Sequence, residues 1–425
     1  MLLSFYMKFS IEKELPNGRG RVGTIETPHG KIETPAFIVV GTKATVKALT
    51  VEQVMDIGAQ ALLANTYHLY LQPGEEVMKK SGGLQGFGKW NVPTFTDSGG
   101  FQAFSLGVAL DQKKVSKVSN AKDIIESMGS EKEIKETGPD DQSDEDKSTH
   151  AKLVDIDEEG ITFKSILDGS SHRFTPERSM EIQHSIGADI IFAFDECTSP
   201  HASYEYQIEA MNRTHRWAQR SLDYHRAQQA SKSQALFGIV QGGRHKDLRE
   251  ESARIIGSME ASDGSGGFDG FGIGGSFDKE DIYNSVGWVI DILPKGKPRH
   301  LLGIGEPVDL FGGIENGIDT FDCVTPTRIA RNGSLYTRDG RINILNSKYI
   351  KDLGKIDPEC NCYTCKNYSC AYLAHLFRAK EMLAGTLASI HNLYFIVNLV
   401  KEIRQSMIEG KFEEFKKEWL AIYYK

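Results

Sequence analysis

No uninterrupted apolar run in this chain approaches the ~20 residues needed to span a bilayer. The apolar opening, MLLSFYMKFS, is too short and too poorly flanked for a signal peptide. These two absences argue against a membrane-spanning or secreted protein and make the cytoplasm the expected compartment. Positive charge is also in short supply. The net charge of −8 argues against a chain coated in nucleic acid, while leaving room for a local basic site. Cysteine is scarce, with six in 425 residues, and in a cytosolic chain these are not read as disulfides. What remains is ordinary for a globular protein, 40% apolar and 25% charged. The length suits two or three domains, or a single (β/α)8 barrel with additions.

Half of the net charge sits in one place. Between Asp111 and His150 lie eleven acidic and seven basic residues and few aromatics. That composition reads as a solvated, disordered surface insertion, with room for a short helix around 124–128. Elsewhere, eight short apolar runs recur at 36–42, 61–67, 94–100, 190–196, 236–243, 268–276, 300–306 and 319–324. Amphipathic helical patterns separate most of them. Continuous apolar strands alternating with helices imply a parallel sheet covered by helices. Eight strands match a closed α/β TIM barrel, with an open doubly wound sheet as the alternative. The runs end in polar or glycine clusters such as NTYH, DSGG, DECT, QGG and FDC, and barrels of this kind place their chemistry at the C-terminal ends of the strands. The segment GITFKSILDGS (160–170) alternates and ends in a turn, as an extra antiparallel strand would.

Two constellations carry chemistry. CNCYTC supplies Cys360, Cys362 and Cys365, and His391 follows on an apolar-periodic helix. Three thiolates and an imidazole make a closed tetrahedral zinc site of the structural kind. Cys370 and His375 lie close enough in sequence to compete for the fourth position, whereas Cys197 and Cys323 stand apart beside acids. The second constellation is three carboxylates at strand ends, Asp97, Asp195 and Asp322. Two acids in one pocket permit glycosyl chemistry with retention, one attacking the anomeric carbon and the other shuttling protons. In TFTDSGGFQ, Asp97 is followed by Gly99 and Gly100, which let a backbone approach something closely. The aromatic Phe101 suggests that this something is flat.

DSGGFQ, FDECT, GIVQGG, GIDTFDCVTPTRIARNG and the C-x-C-x2-C…H site, in this order, resemble the bacterial-type tRNA-guanine transglycosylases, also called queuine tRNA-ribosyltransferases. GTKATVKALT and NTYHL match as well. The resemblance covers essentially the whole chain outside an insertion of about 111–157. It implies a zinc-containing (β/α)8 barrel that exchanges guanine at wobble position 34 of GUN-anticodon tRNAs for a 7-deazaguanine base, preQ1 or queuine. It further implies that Asp97 is the acid/base and that Asp322 is the nucleophile forming a covalent ribosyl-aspartate. Ser98, Phe101, Asp195, Cys197, Gln241, Gly275 and Leu302 would hold the base. Arg328 and Arg331 would contact the anticodon loop, where basic groups suit a phosphate polymer. A homodimer with one structural zinc per chain is expected, without a membrane. The expected division is a barrel over 1–353 with an N-terminal β extension, a zinc-binding subdomain over 354–395, and a C-terminal helix over 396–425 that completes the barrel. One departure stands out. The family's usual Gly-Gly-Leu is here Gly274-Gly275-Ser276-Phe277-Asp278, with Glu280 keeping the spacing of a supporting acid. Two other readings compete: a non-catalytic tRNA-binding partner subunit, and a transglycosylase acting at another tRNA position.

Overall fold

A computed structural model describes residues 7–102, 154–199, 202–275 and 282–425, except residues 17 and 166. An antiparallel sheet comes first, formed by β1 (Lys8–Glu14), β2 (Arg21–Thr27) and β3 (Gly30–Thr34). Then come β4 (Ala36–Val40), β5 (Leu62–Ala64) and β6 (Thr94–Thr96), all parallel. A second antiparallel sheet intervenes, with β7 (Val154–Ile156), β8 (Ile161–Lys164) and β9 (Ser171–Phe174). The parallel series resumes with β10 (Ile190–Phe192), β11 (Ala235–Val240), β12 (Gly270–Ile273), β13 (Arg299–Leu301) and β14 (Thr320–Asp322). β10 pairs with β6 and β14 with β4, so the eight strands close into a barrel. An open doubly wound sheet has no such closing pair. A hairpin of β15 (Ser334–Thr337) and β16 (Gly340–Asn343) follows.

Strand alternation sorts the apolar side chains into two layers. Ile38, Val40, Leu63, Phe95, Phe192, Phe237 and Ile239 fill the barrel interior, joined from outside the barrel by Ile25 of β2 and Ile32 of β3. Phe37, Val39, Leu62, Ile191, Leu236, Phe271, Leu301 and Phe321 face the helices. Arg21 of β2 donates to both carboxylate oxygens of Asp319, at 2.9 and 2.6 Å, just before β14. The N-terminal sheet thereby plugs the N-terminal end of the barrel and leaves the C-terminal end as the mouth.

The segment read as an extra antiparallel strand is β8, and β7 lies inside the stretch read as a disordered insertion. β7 falls at the end of the insertion of about 111–157, past the acidic run, where the three-residue alternation of Val154 and Ile156 is too short to signal a strand. The remainder of that insertion, with the short helix expected at 124–128, lies outside the described residues. The helix Met382–Glu409 runs unbroken through position 395, where the sequence suggested a division. By length and composition it is apolar enough to cross a membrane, which the reading of apolar runs had missed. Most of its apolar side chains, among them Leu387, Leu393, Ile396, Val400 and Ile403, are buried in the protein interior, while Met382, Leu383 and Ile408 near its ends are exposed. It packs against β4, the helix Thr325–Arg331 and the helix Phe412–Tyr423.

Candidate active site and candidate metal centre

All the catalytic, base-binding and tRNA-contact positions implied by the resemblance line one cavity of about 490 Å³ at the barrel mouth: Asp97, Ser98, Phe101, Asp195, Cys197, Gln241, Gly275, Leu302, Asp322, Arg328 and Arg331. They arrive from six strand ends, which a parallel barrel gathers on one face. Ser276, Phe277, Asp278 and Glu280 lie outside the described residues.

Asp97 follows β6. Its Oδ1 accepts from the Thr66 amide at 2.9 Å and its Oδ2 from the side-chain amide of Asn65. Asn65 is held in turn because its Oδ1 caps the helix Thr66–Leu71, accepting from the His68 amide at 3.0 Å. Protein atoms crowd this carboxyl, and loss of hydration pushes its pKa up to about 7 against the pull of those donors; the charge of Asp322 adds to the rise. Such a group carries or releases a proton near neutral pH. The glycines behind it serve the chain itself. A Cβ on Gly100 would sit 2.6 Å from the Asp195 carbonyl oxygen, and Gly99 has φ +81°. The close approach is therefore of backbone to backbone, bringing Asp97 beside Asp195.

Asp195 follows β10. Ser98 donates to its Oδ1 at 2.9 Å and Gln241 to its Oδ2 at 2.7 Å. Desolvation pushes Asp195 up to about 6, less than Asp97. Asp322 ends β14 and is held differently. Two donors converge on its Oδ1, the Gly303 amide at 2.9 Å and His300 Nε2 at 3.0 Å. Oδ2 has no hydrogen-bond partner among the described residues. The ring of His300 is fully buried in the barrel interior, stacked on Phe95 at 5.5 Å and bonded through Nδ1 to the Thr320 hydroxyl at 2.8 Å. The Nε2–H donates to the Asp322 carboxylate, and the Nδ1 contact is met by the Thr320 hydroxyl, which can donate or accept.

At the rim, Phe101 is 46% exposed while Leu302 is half-buried. Lys47 joins Arg328 and Arg331 in the cavity wall; burial first, then Arg331, Lys43 and Arg328, lower its pKa. Burial and the lysines Lys43 and Lys47 push His68 down to about 4, so it is neutral at physiological pH.

A second buried cluster lies outside the barrel. The ligand atoms of Cys360, Cys362, Cys365 and His391 all fall within 4.8 Å of one another, a set able to hold one metal ion. His391 Nδ1 faces the three sulfurs at 3.7, 3.5 and 3.3 Å. Its Nε2–H donates to the Tyr336 carbonyl at 2.6 Å, fixing the ring and the tautomer in the manner of an outer-shell partner. His375 is exposed, and the Cys370 thiol points to the Lys355 carbonyl, 3.3 Å away.

Sequence reasoning gave no role to Asn65, His300 or Arg249. A signal existed for the first, in the polar NTYH closing an apolar run. His300 shows only as a polar residue opening one, and Arg249 as one cation among several on a helix.

The fold and the cavity define a (β/α)8 barrel with unlike carboxylates at its strand ends and an accessory Cys3His cluster. The sequence model of the family described as queuine tRNA-ribosyltransferase matches residues 17–136 and 112–425, and the chain belongs to that family. The queuine tRNA-ribosyltransferase of Caldanaerobacter subterraneus subsp. tengcongensis is 43% identical over 421 residues, 98% of each chain. That of Desulforamulus reducens is 41% identical over 420 residues, covering 98% of this chain and 99% of its own. That of Fusobacterium nucleatum is 41% identical over 410 residues, 96% of each.

Proposed function

We propose that the chain is a tRNA-guanine transglycosylase, a pentosyltransferase that exchanges guanine at wobble position 34 of GUN-anticodon tRNAs for a 7-deazaguanine base in queuosine synthesis. The observation that carries this reading is the pair of unlike acids in one cavity. Asp97 is poised near neutral pH, and Asp322 has one oxygen doubly held and the other without a hydrogen-bond partner among the described residues.

The target nucleotide leaves its stack and enters the cavity. Asp322 Oδ2 attacks C1′ of the ribose as the C1′–N9 bond breaks, and Asp97 gives its proton to the departing guanine. The enzyme then holds the tRNA as a ribosyl ester of Asp322. The incoming base loses a proton to Asp97 and attacks C1′, releasing the Asp322 carboxylate. Two displacements give retention. Phe101 and Leu302 sandwich the base, a contact worth ~1–3 kcal/mol for aromatic stacking. Ser98, Asp195, Cys197, Gln241 and Gly275 meet its edge. Arg328, Arg331 and Lys47 contact the anticodon-loop phosphates. Both acids are present, so nothing favours a silent partner subunit.

Three thiolates and one imidazole are a zinc donor set, and with all four positions filled by protein the ion would serve the fold alone. Exposed Leu353, which lines one surface depression with the stacked Tyr368 and Tyr372, supports a homodimer through the metal subdomain. The cytoplasm is the compartment that suits this work.

The test is exchange of labelled guanine into a GUN-anticodon tRNA, followed by competition with the aminomethyl and cyclopentenediol 7-deazaguanines. Incorporation at position 34 is expected. Label appearing only at another position would move the activity there, and no incorporation at all would sink the reading.

A further inference from the structure

Arg249 has no role in the chemistry above, yet the fold buries it completely behind the cavity wall. It sits on the helix Lys246–Ser258, which follows β11. Burying a guanidinium is costly unless its donors are engaged. Arg249 Nε donates to the Gly243 carbonyl at 2.8 Å. Nη1 donates to the Gly274 carbonyl at 2.7 Å and to the Val240 carbonyl at 3.3 Å. The residue therefore braces two strand-end loops against each other, one carrying Gln241 and the other Gly275. Burial pushes its pKa down only to about 9, so the brace is charged at neutral pH.

The brace dictates what the wall presents to the cavity. The Gly274–Gly275 peptide is trans, so its C=O and N–H point in opposite directions. Arg249 draws the Gly274 oxygen back into the protein. The Gly275 N–H is thereby turned away from Arg249, and Gly275 lines the cavity. Gly275 also has to be glycine. Its φ is +107°, and a Cβ there would lie 2.4 Å from Arg249 Nη2. A cation bound to the carbonyl polarises the peptide and strengthens the N–H as a donor. A backbone donor in a positive field favours a purine that turns a carbonyl oxygen toward it, as a 6-oxopurine can, and disfavours one that turns an amino group there.

We propose that Arg249 is a positioning residue that selects 6-oxopurines by locking the Gly274–Gly275 peptide with its N–H toward the cavity. The proposal rests on the reading of the cavity as a purine site.

The experiment compares guanine with 2-aminopurine, which lacks the 6-oxygen, as competitors of labelled-guanine exchange into GUN-anticodon tRNA. Wild type, Arg249→Met, Arg249→Gln and Arg249→Lys are measured, with thermal unfolding recorded for each. Arg249→Met should weaken guanine roughly tenfold, the worth of one well-placed hydrogen bond. It should leave 2-aminopurine and the KM for tRNA unchanged, so that the preference collapses. Arg249→Lys should restore part of the preference, since an ammonium can still hold the Gly274 carbonyl. Arg249→Gln should fall between Arg249→Lys and Arg249→Met. If Arg249→Met does not fold, Arg249→Gln and Arg249→Lys decide the matter. An equal loss for both bases would make Arg249 a strut without a role in selection, and an unchanged preference would also overturn the proposal. If the wild type exchanges no guanine, the base-binding reading has failed and takes this one with it. If the wild type exchanges normally and the preference survives every variant, this inference alone has failed.

Discussion

Two of the buried clusters of ionisable side chains among the described residues, the Cys3His cluster and the cavity acids, act on the fold with opposite sign. The Cys3His cluster brings its ligand atoms within 4.8 Å of one another, and a bound metal would turn that crowding into folding free energy. The barrel cavity holds Asp97 and Asp195 where hydration is lost and no cation pairs with them directly, so both are pushed up toward neutrality. One cluster stabilises the chain and the other is maintained at its expense, for reactivity. Strain of this second kind is expected where a group must change its charge during turnover.

The sharpest way to break the comparison is to remove the proposed nucleophile. Asp322→Ala should abolish exchange and the covalent adduct while leaving tRNA binding largely intact, read on a denaturing gel of enzyme with tRNA. An adduct that persists would move the nucleophile elsewhere. Asp97→Asn should also lose turnover, because an amide cannot carry the proton. The metal side should fail differently. Cys362→Ser should lose bound metal and several kcal/mol of stability, as the removal of a structural ligand does. Metal analysis and thermal unfolding check this, and a full metal complement in that variant would exclude Cys362 as a ligand.

The same contrast explains what could be read from the chain before its structure. The candidate metal ligands Cys360, Cys362 and Cys365 lie within six residues, so spacing alone exposes them. The barrel was legible because its eight strands are continuous apolar runs with polar ends, a local pattern repeated eight times. The cavity acids were legible only as strand-end residues, with roles supplied by resemblance. What stayed hidden is what depends on contacts between neighbouring strands that lie far apart in sequence. Asn65 reaches Asp97 over 32 positions and His300 reaches Asp322 over 22. Nothing local marks either pairing, because the parallel pairing of β5 with β6 and of β13 with β14 creates it. β7 was hidden for the opposite reason, since its three residues of alternation are local but too short to signal a strand.

His300 offers a finer test of the cavity. Its Nε2 and the Gly303 amide hold one oxygen of Asp322 and thereby aim the other. His300→Phe, placed between Phe95 and Phe192, should keep the apolar stacking and lose the donor. Adduct formation should slow by up to ~10²-fold, the scale on which small misplacements of a reacting group act. The KM for free guanine should stay close to wild type, and His300→Gln should recover part of the rate through its side-chain amide. Equal losses in His300→Phe and His300→Gln would reduce the ring to packing.

The smallest expected effect is the most direct measure of the cost carried by the cavity. The pKa of Asp97 rises from an unfolded value near 3.8 to about 7 in the folded chain. The folded state therefore binds more protons than the unfolded state between those two values, and stability falls as pH rises through that window. Below pH 4 both states hold the proton and the carboxyl has no effect. Above pH 7 the full penalty is present. Asp97→Asn keeps the shape and the acceptor oxygen, but its amide nitrogen cannot accept from Asn65 as the carboxylate does. The variant should therefore match or slightly trail wild type at pH 4 and exceed it at pH 8. The gain should be about 1–2 kcal/mol, below the ~1.4 kcal/mol per pKa unit that the whole shift would imply, because Asp97 keeps some access to solvent and the weakened Asn65 contact offsets part of it. Urea unfolding at the two pH values measures the difference. A variant less stable than wild type at pH 8 would mean that the donors from Asn65 and Thr66 outweigh desolvation, and that the cavity is not held at the expense of the fold.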